Sequence, residues 1–217
     1  MMIIHKIAHR GYHNFYPENT LEAFEQAYKK GFTMIEMDVQ LTRDRKIVIY
    51  HDTYIDNSMV LDLDLKQLKT IDSKILTLEE FFEQFDYTKI TLYLDMKGSD
   101  ILAPYLVSFM IKYKINTSNI YFASFNLKHL HYLCDYPFKL GFICENKLDN
   151  AILDHITNKY KICFVAFSWN NIDEEAIHFL HAKHKKVFVY TISQHWMKNE
   201  LKHLDIDGFV SDVLIDE

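Results

Sequence analysis

Cysteine, glycine and proline are all scarce in this sequence, which has three Cys, five Gly and three Pro among 217 residues. The cysteines occur singly, without a CxxC pair, and this pattern favours a reducing compartment over a disulfide framework. The low Gly and Pro content leaves no linker at which the chain could be divided. We therefore expect a single domain over residues 1–217.

Long apolar runs and blocks of positive charge are absent as well. No run approaches the roughly 20 consecutive apolar residues of a membrane span, and the N-terminus meets charge too early for a secretory signal. The net charge is −6 and no basic block occurs, which argues against nucleic acid as a partner. These absences predict a soluble, cytoplasmic protein without stable membrane insertion.

What the sequence does contain is an alternation of apolar β-type runs with helical stretches. Near-continuous apolar strands separated by helices indicate a parallel sheet, and eight such units are the number that closes a (β/α)8 barrel. An open doubly wound sheet is the competing fold. The predicted class is α/β, a (β/α)8 TIM barrel with a short inserted hairpin or loop after the second strand. The eight predicted strands are residues 3–9, 32–39, 90–96, 120–124, 140–144, 163–167, 187–192 and 208–211.

The first connecting helix and the insertion have their own signals. Asn19 is the predicted N-cap of the helix, and Gly31 is its predicted end. The insertion is expected at about residues 40–76, and its portion from 53 to 74 has no clear pattern.

The insertion begins with a ribbon in which Glu36 and Asp38 point to one face, because side chains alternate along a strand. A two-residue turn at Asp44 and Arg45 would place Asp38 directly opposite His51. A hairpin whose polar residues face water is the alternative, but the apolar surroundings of these acids argue for burial.

Active sites of (β/α)8 barrels lie at the C-terminal ends of the strands. Polar residues stand at the ends of all eight predicted strands, so they should converge on one mouth. They include His9, Arg10, Glu36, Asp38, Asp95, Lys97, Ser124, Glu145, Ser168, Thr191 and Asp212.

Carboxylates at this mouth predict a metal site. Glu36, Asp38 and Asp95 would form a hard oxygen site suited to one divalent cation, Mg²⁺ or Ca²⁺, and no His or Cys pattern with zinc spacing accompanies them.

Histidines and cations at the same mouth predict transfer at a phosphate ester. His9 and His51 suit a general acid and base, while Arg10 and Lys97 offer positive charge to an anionic ligand. Histidines in helical stretches are expected at the solvated surface; they include His129, His131, His178, His181, His184 and His203.

The sequence also resembles the glycerophosphodiester phosphodiesterase family, from about residue 7 to residue 212. The motifs that carry the resemblance are His9-Arg10-Gly11, Pro17-Glu18-Asn19-Thr20, Glu36-x-Asp38, His51-Asp52, Leu94-Asp95-Met96-Lys97, Ser124-Phe125, Tyr190-Thr191 and the segment 207–212.

The resemblance implies a TIM barrel, a bound divalent cation and hydrolysis of glycerophosphodiesters to glycerol 3-phosphate and an alcohol. By motif, it implies that His9 and His51 are the acid-base pair and that Glu36 and Asp38 are metal ligands. By the same motifs it assigns phosphate contacts to Arg10 and Lys97, and it implies that Asn19 holds the first loop to the mouth.

The sequence departs from the family pattern at several positions. Asp95 stands where the family commonly has Glu, so the third ligand is one methylene shorter. Residues 55–58 replace an Arg-Thr-Thr segment, and Tyr190 replaces a Trp. These departures bear on substrate identity and rate more than on reaction class.

We therefore expect a metal-dependent glycerophosphodiester phosphodiesterase with a small-molecule substrate. A related phospholipase C or D barrel that acts on a lipid phosphodiester is a second hypothesis, which the lack of an apolar or basic membrane-binding segment disfavours. A degenerate barrel that binds phosphoglycerol compounds without turnover is the third.

Overall fold

The computed structural model describes residues 4–214, and within them parallel strands alternate with helices. The strands are β1 (His5–Ala8), β2 (Met34–Leu41), β3 (Ile47–Ile49), β4 (Tyr54–Ile55), β5 (Ser58–Met59), β6 (Leu76–Thr77), β7 (Thr91–Met96), β8 (Ile120–Ser124), β9 (Lys139–Cys144), β10 (Ile162–Ser168), β11 (Lys186–Ile192) and β12 (Gly208–Ser211). The α-helices are α1 (Leu21–Lys30), α2 (Leu65–Ile71), α3 (Leu78–Gln84), α4 (Leu102–Lys112), α5 (Leu127–Leu133), α6 (Asn150–Lys159), α7 (Glu174–Ala182) and α8 (His195–Leu201).

Eight parallel strands close into a barrel. Their order is β1-β12-β11-β10-β9-β8-β7-β2, and β1 pairs again with β2 through Ile7 with Met34 and Ala8 with Ile35. The predicted (β/α)8 barrel is therefore confirmed, and the open doubly wound alternative is wrong. The predicted strand ends lie within about two residues of the observed ones, the usual uncertainty of such boundaries.

The strands are buried on both faces, as parallel strands between two layers must be. All eight residues of β2 are buried. Side chains inside the barrel form a core of their own, separate from the larger core between the barrel and its helices. The inner core consists of Ile7, Met34, Tyr93, Ala123, Ile143, Phe164, Ala166, Phe188 and Val210.

The start of α1 differs from the prediction. Thr20, not Asn19, is the N-cap, and its Oγ1 accepts a hydrogen bond from the backbone N–H of Ala23 at 3.3 Å. Asn19 has a φ of 56°, a left-handed conformation, and its side chain bonds to Asp38 and not to the helix N-terminus. Gly31 ends α1 as predicted, with a φ of 88°.

The ribbon that opens the insertion also differs from the prediction. β2 and β3 pair Val39 with Ile49 and Leu41 with Ile47, one residue away from the predicted register, so Asp38 does not lie opposite His51. The turn contains three residues instead of two, because Arg45 takes a φ of 63° and occupies an extra position.

The rest of the insertion, which had no clear sequence pattern, forms the β4-β5 hairpin, a short 3₁₀ turn at Val60–Asp62, helix α2 and strand β6. β6 pairs with β3 and returns the chain to the barrel at α3. Single-domain organisation over residues 1–217 stays a prediction, since residues 1–3 and 215–217 lie outside the described part. Within residues 4–214, the helices are too short or too polar to span a bilayer.

Gly141 in β9 tests the packing inside the barrel. A Cβ atom built on this residue would lie 1.9 Å from Cζ of Phe164, so the aromatic ring fills the space that a side chain would need. We expect Gly141→Ala to lower the free energy of unfolding by about 1–3 kcal/mol, measured by denaturant unfolding. In the double variant Gly141→Ala/Phe164→Leu the loss should be smaller than the sum of the two single losses. Strict additivity would contradict the proposed clash.

Candidate active site

A cavity of about 160 Å³ opens at the C-terminal ends of the barrel strands. The seven residues to which the sequence assigned metal, acid-base or phosphate roles line it and form its polar wall, namely His9, Arg10, Glu36, Asp38, His51, Asp95 and Lys97. Of the other polar residues predicted at the mouth, Thr191 lines the cavity, whereas Ser124, Glu145, Ser168 and Asp212 do not. The other lining residues are largely apolar and include Tyr93, Phe125, Ile143, Tyr190 and Val210. His51 reaches the cavity even though its predicted pairing with Asp38 is wrong.

Three carboxylates lie close together in the polar wall of the cavity. Glu36 and Asp38 both point inward from β2, and the parallel register places Asp95 of β7 beside Asp38. One oxygen from each of the three lies within 4.8 Å of the others, and the residues are only 3%, 1% and 6% exposed. Burial, together with the neighbouring acids, raises the pKa of Glu36, and burial raises the pKa of Asp95 to about 6. Although burial opposes it, the charges of Lys97 and Arg10 hold the pKa of Asp38 below its ordinary value.

This cluster fits a divalent cation. Oδ1 of Asp95 is buried and has no hydrogen-bond partner, and a buried carboxylate oxygen without a partner is costly. Carboxylate oxygens are the ligands that Mg²⁺ and Ca²⁺ prefer. The shorter side chain of Asp95 still brings an oxygen to the same point as Glu36 and Asp38.

Arg10 is held by three acids. Its backbone N–H donates to Oε2 of Glu36 at 2.8 Å, and its Nη1 donates to the carboxylate of Glu18 at 2.9 and 3.1 Å. Its Nε lies 3.4 Å from Oδ2 of Asp38 and makes no hydrogen bond. The guanidinium is therefore fixed beside the carboxylates with donor capacity to spare.

Lys97 is the second cation of the cavity. Its Nζ lies 2.6 Å from Oδ2 of Asp95 and 3.4 Å from Oδ1 of Asp38, and 5.1 Å from the centre of the Phe125 ring. Although burial opposes it, the charges of Asp95 and Asp38 raise the pKa of Lys97 above its ordinary value. Lys97 is therefore a fixed positive charge at neutral pH.

Two buried amides hold the loops that frame the cavity. Nδ2 of Asn19 donates to Oδ2 of Asp38 at 3.0 Å, and the N–H of Asp38 donates to Oδ1 of Asn19 at 3.3 Å. Nε2 of Gln40 lies 2.8 to 3.0 Å from the carbonyl oxygens of Tyr50, His51 and Asp52. Gln40 therefore ties the segment that carries His51 to the barrel strand that carries Asp38.

Each of the two cavity histidines is paired with an aspartate. Nδ1 of His9 lies 2.6 Å from Oδ1 of Asp212, and Nδ1 of His51 lies 2.7 Å from Oδ1 of Asp52. Burial lowers the pKa of His9 even though Asp212 opposes the shift. Neutral imidazole is therefore the resting form of His9 near neutral pH.

The sequence profile of the glycerophosphoryl diester phosphodiesterase family matches residues 9–215, nearly the whole chain. The chain belongs to this family. The matched range contains all seven residues of the polar wall.

Individual relatives agree with this membership. The glycerophosphodiester phosphodiesterase of Caldanaerobacter subterraneus is 34% identical over 122 residues, which are 49% of this chain and 50% of that enzyme. Matches to several curated relatives span only 44% to 50% of the relative's length.

Solved structures share the fold over almost the full chain. The glycerophosphodiester phosphodiesterase of Thermotoga maritima has a TM-score of 0.83 at 26% identity, covering 96% of this chain and 94% of that one. A phosphodiesterase from Oleispira antarctica, solved in complex with the product sn-glycerol-3-phosphate, has a TM-score of 0.86 at 23% identity, covering 97% of this chain and 93% of that one.

Sequence reasoning missed several residues around the site of this family member. Gln40 had a signal, since it follows Asp38 by two positions and so shares its face of β2. Asp212 was placed at the mouth but not paired with His9. His13, whose Nε2 lies 2.8 Å from Oδ1 of Asp212, sits in an irregular loop and gave no periodic signal.

His129 is a further correction, because it was expected at the surface and is fully buried. Its Nδ1 lies 2.9 Å from Oγ of Ser124, and its Nε2 lies 2.9 Å from the carbonyl oxygen of Ser99. It therefore anchors the loop after β7 that begins with Lys97. His181 is half-buried between Asp205 and Asp207. His131 and His178 are exposed on helices as expected, and His184 and His203 are exposed in the turns that follow α7 and α8.

Proposed function

We propose that this chain hydrolyses glycerophosphodiesters to glycerol 3-phosphate and an alcohol, with a bound divalent cation and two histidines. The observation that carries the proposal is that one cavity gathers three acids, two cations and two histidines at the C-terminal mouth of the barrel. Family membership and the product-bound Oleispira antarctica phosphodiesterase support the same substrate class.

The cation of the proposal is Mg²⁺ or Ca²⁺, held by Glu36, Asp38 and Asp95. When bound, it supplies positive charge to the non-bridging oxygens of the phosphate. Arg10 and Lys97 flank the same point and add the fixed charges that an anionic diester needs.

The reaction of the proposal uses a hydroxyl of the substrate itself. A glycerol hydroxyl next to the esterified carbon lies within bonding reach of phosphorus, and such an intramolecular attack has an effective molarity that can reach about 10⁵ M or more. One histidine takes the hydroxyl proton as the new P–O bond closes a cyclic phosphate. The P–O bond to the leaving alcohol breaks, and the other histidine gives that alcohol a proton. Water then opens the ring with the two histidines in exchanged roles.

A lipid phosphodiester is the second candidate substrate, and exposed aromatic side chains favour it. Phe15, Tyr54 and Trp196 are 71%, 57% and 54% exposed and lie in segments at the cavity end of the barrel. Such side chains suit the boundary between water and lipid. They come from three separate segments of the chain, so no continuous apolar segment marked them in the sequence.

A single assay separates these functions. Release of glycerol 3-phosphate is measured with glycerophosphocholine and with glycerophosphoethanolamine. Release of the acylated product, lysophosphatidic acid or monoacylglycerol, is measured with micelles of lysophosphatidylcholine. Faster turnover of the soluble diesters supports the first candidate, and faster turnover of the micellar lipid supports the second. Binding without release from any of them would leave a phosphoglycerol-binding barrel.

Removal of the cation is the first prediction of the proposal. Excess chelator should abolish turnover, and readdition of Mg²⁺ or Ca²⁺ should restore it. Without the cation, the negative charges of three neighbouring buried acids are not neutralised. Calorimetric titration should show that Asp95→Ala weakens cation binding by at least about tenfold, whereas Asp95→Glu retains it. Equal affinity in the wild type and both variants would remove Asp95 from the cation site.

Loss of the histidines is the second prediction. His9→Ala and His51→Ala should each lower kcat by about 10²-fold or more, the usual effect of removing a positioned proton donor or acceptor. His178→Ala is the matched control, because this histidine of α7 is exposed and does not line the cavity. An equal loss in the control would place the reaction elsewhere.

The glycerol hydroxyl is the subject of the third prediction. The 2-deoxy analogue of glycerophosphocholine should bind with a similar affinity but turn over far more slowly, because it cannot form the cyclic phosphate. The comparison requires steady-state kinetics with both diesters and detection of the cyclic intermediate by ³¹P NMR. Equal kcat values would show that water attacks phosphorus directly.

A further inference from the structure

Two further side chains, Asp212 and His13, form a cluster with His9, and neither of them lines the cavity. Oδ1 of Asp212 is 2.6 Å from Nδ1 of His9 and 2.8 Å from Nε2 of His13. The two imidazole rings meet edge to face with their centres 5.5 Å apart. His9, His13 and Asp212 are 17%, 22% and 17% exposed, so the cluster is largely shielded from water.

The hydrogen bonds determine where the ring protons lie. An ionised carboxylate only accepts hydrogen bonds, so Nδ1 of His9 and Nε2 of His13 must both carry hydrogen. Although burial opposes the shift, the hydrogen bonds from His13 and His9 hold the pKa of Asp212 well below its usual range, which keeps it ionised. A neutral His9 with hydrogen on Nδ1 has a free electron pair on Nε2, at the ring edge away from Asp212.

We propose that Asp212 is a positioning residue that makes His9 the general base of the reaction, and that His13 fixes Asp212 in turn. The inference rests on the proposed function. Asp212 holds the ring in the tautomer that can accept a proton at Nε2 and stabilises the imidazolium that forms when the glycerol hydroxyl gives up its proton. His13 occupies the same oxygen from a second direction, so the carboxylate cannot turn towards water.

The second histidine differs in its surroundings and takes the opposite role. Asp52, the partner of His51, is 69% exposed, and the His51 side chain is 34% exposed, twice the exposure of His9. A carboxylate open to water is screened and constrains its partner weakly. His51 therefore stands at the open side of the cavity, where it serves as the acid for an alcohol that leaves towards solvent.

The tautomer of His9 can be measured without turnover. In ¹⁵N NMR spectra of the neutral form, His9 of the wild type should carry its hydrogen on Nδ1. In Asp212→Ala the hydrogen should move to Nε2, whereas in the matched variant Asp52→Ala the His9 signal should stay unchanged. A wild-type His9 with hydrogen on Nε2, or an unchanged tautomer in Asp212→Ala, would overturn the proposal.

Kinetics provide the second readout. Asp212→Asn should lower kcat by at least about tenfold, because a base that is no longer held in position loses part of its contribution to the rate. The KM should stay within about twofold of the wild type. His13→Ala should lower kcat less, and His13→Gln, which keeps an N–H donor, should recover most of that loss. A loss confined to KM, or equal kcat in His13→Ala and His13→Gln, would contradict the positioning role.

A leaving group that needs no proton separates base from acid. With the glycerol ester of p-nitrophenyl phosphate, the loss of kcat in His51→Ala should be smaller than with glycerophosphocholine. The loss of kcat in Asp212→Asn should stay the same, because the base is still required. The reverse result would make His9 the acid.

Failure of the inference can be told apart from failure of the proposed function. If the wild type releases no glycerol 3-phosphate from any diester, the function fails, and the NMR measurement still decides the tautomer. If the Asp212 variants do not fold by circular dichroism, the wild-type spectrum and the two His13 variants decide instead.

Discussion

Compensation of buried charge in one small cavity is the constraint on which the rest of this barrel depends. Three carboxylates and two cationic side chains line a cavity of about 160 Å³, and the carboxylates are almost fully removed from water. Burial of such groups is tolerated only when each finds a partner, which explains why neighbouring loops converge on them. Glu18 holds Arg10 from the first loop and Asn19 holds Asp38, whereas Oδ1 of Asp95 is left without a hydrogen-bond partner.

Most of this site could be predicted because it depends on strand ends. In a parallel barrel every strand delivers its last residues to the same mouth, whatever the exact lengths of the helices between them. Asp38 and Asp95 are far apart in sequence, yet they lie side by side because β2 and β7 are neighbours in register. Errors of one or two residues at the strand boundaries left that result intact.

The failed predictions depended on single backbone angles or on tertiary partners. The sequence of the turn is compatible with several turn types and does not show that Arg45 adopts a left-handed conformation. That one extra turn residue shifts the register of the β2-β3 ribbon. Asn19 is an ordinary N-cap residue by type, but its amide finds a stronger partner in Asp38. His129 lies among surface-type residues of a short helix, and only its contacts with Ser124 and Ser99 account for its burial.

The two cavity histidines are held by different parts of the fold, and this difference links barrel closure to the site. β1 and β12 pair Ala8 with Ser211, so the residues that follow them, His9 and Asp212, emerge side by side at the seam where the barrel closes. His51 and Asp52 are instead sequence neighbours just after β3, which is held to β2 by the antiparallel β2-β3 pairing and by the buried amide of Gln40. The barrel thus fixes one histidine through the pairing of its first and last strands, while the position of the other depends on the β2-β3 ribbon and on Gln40.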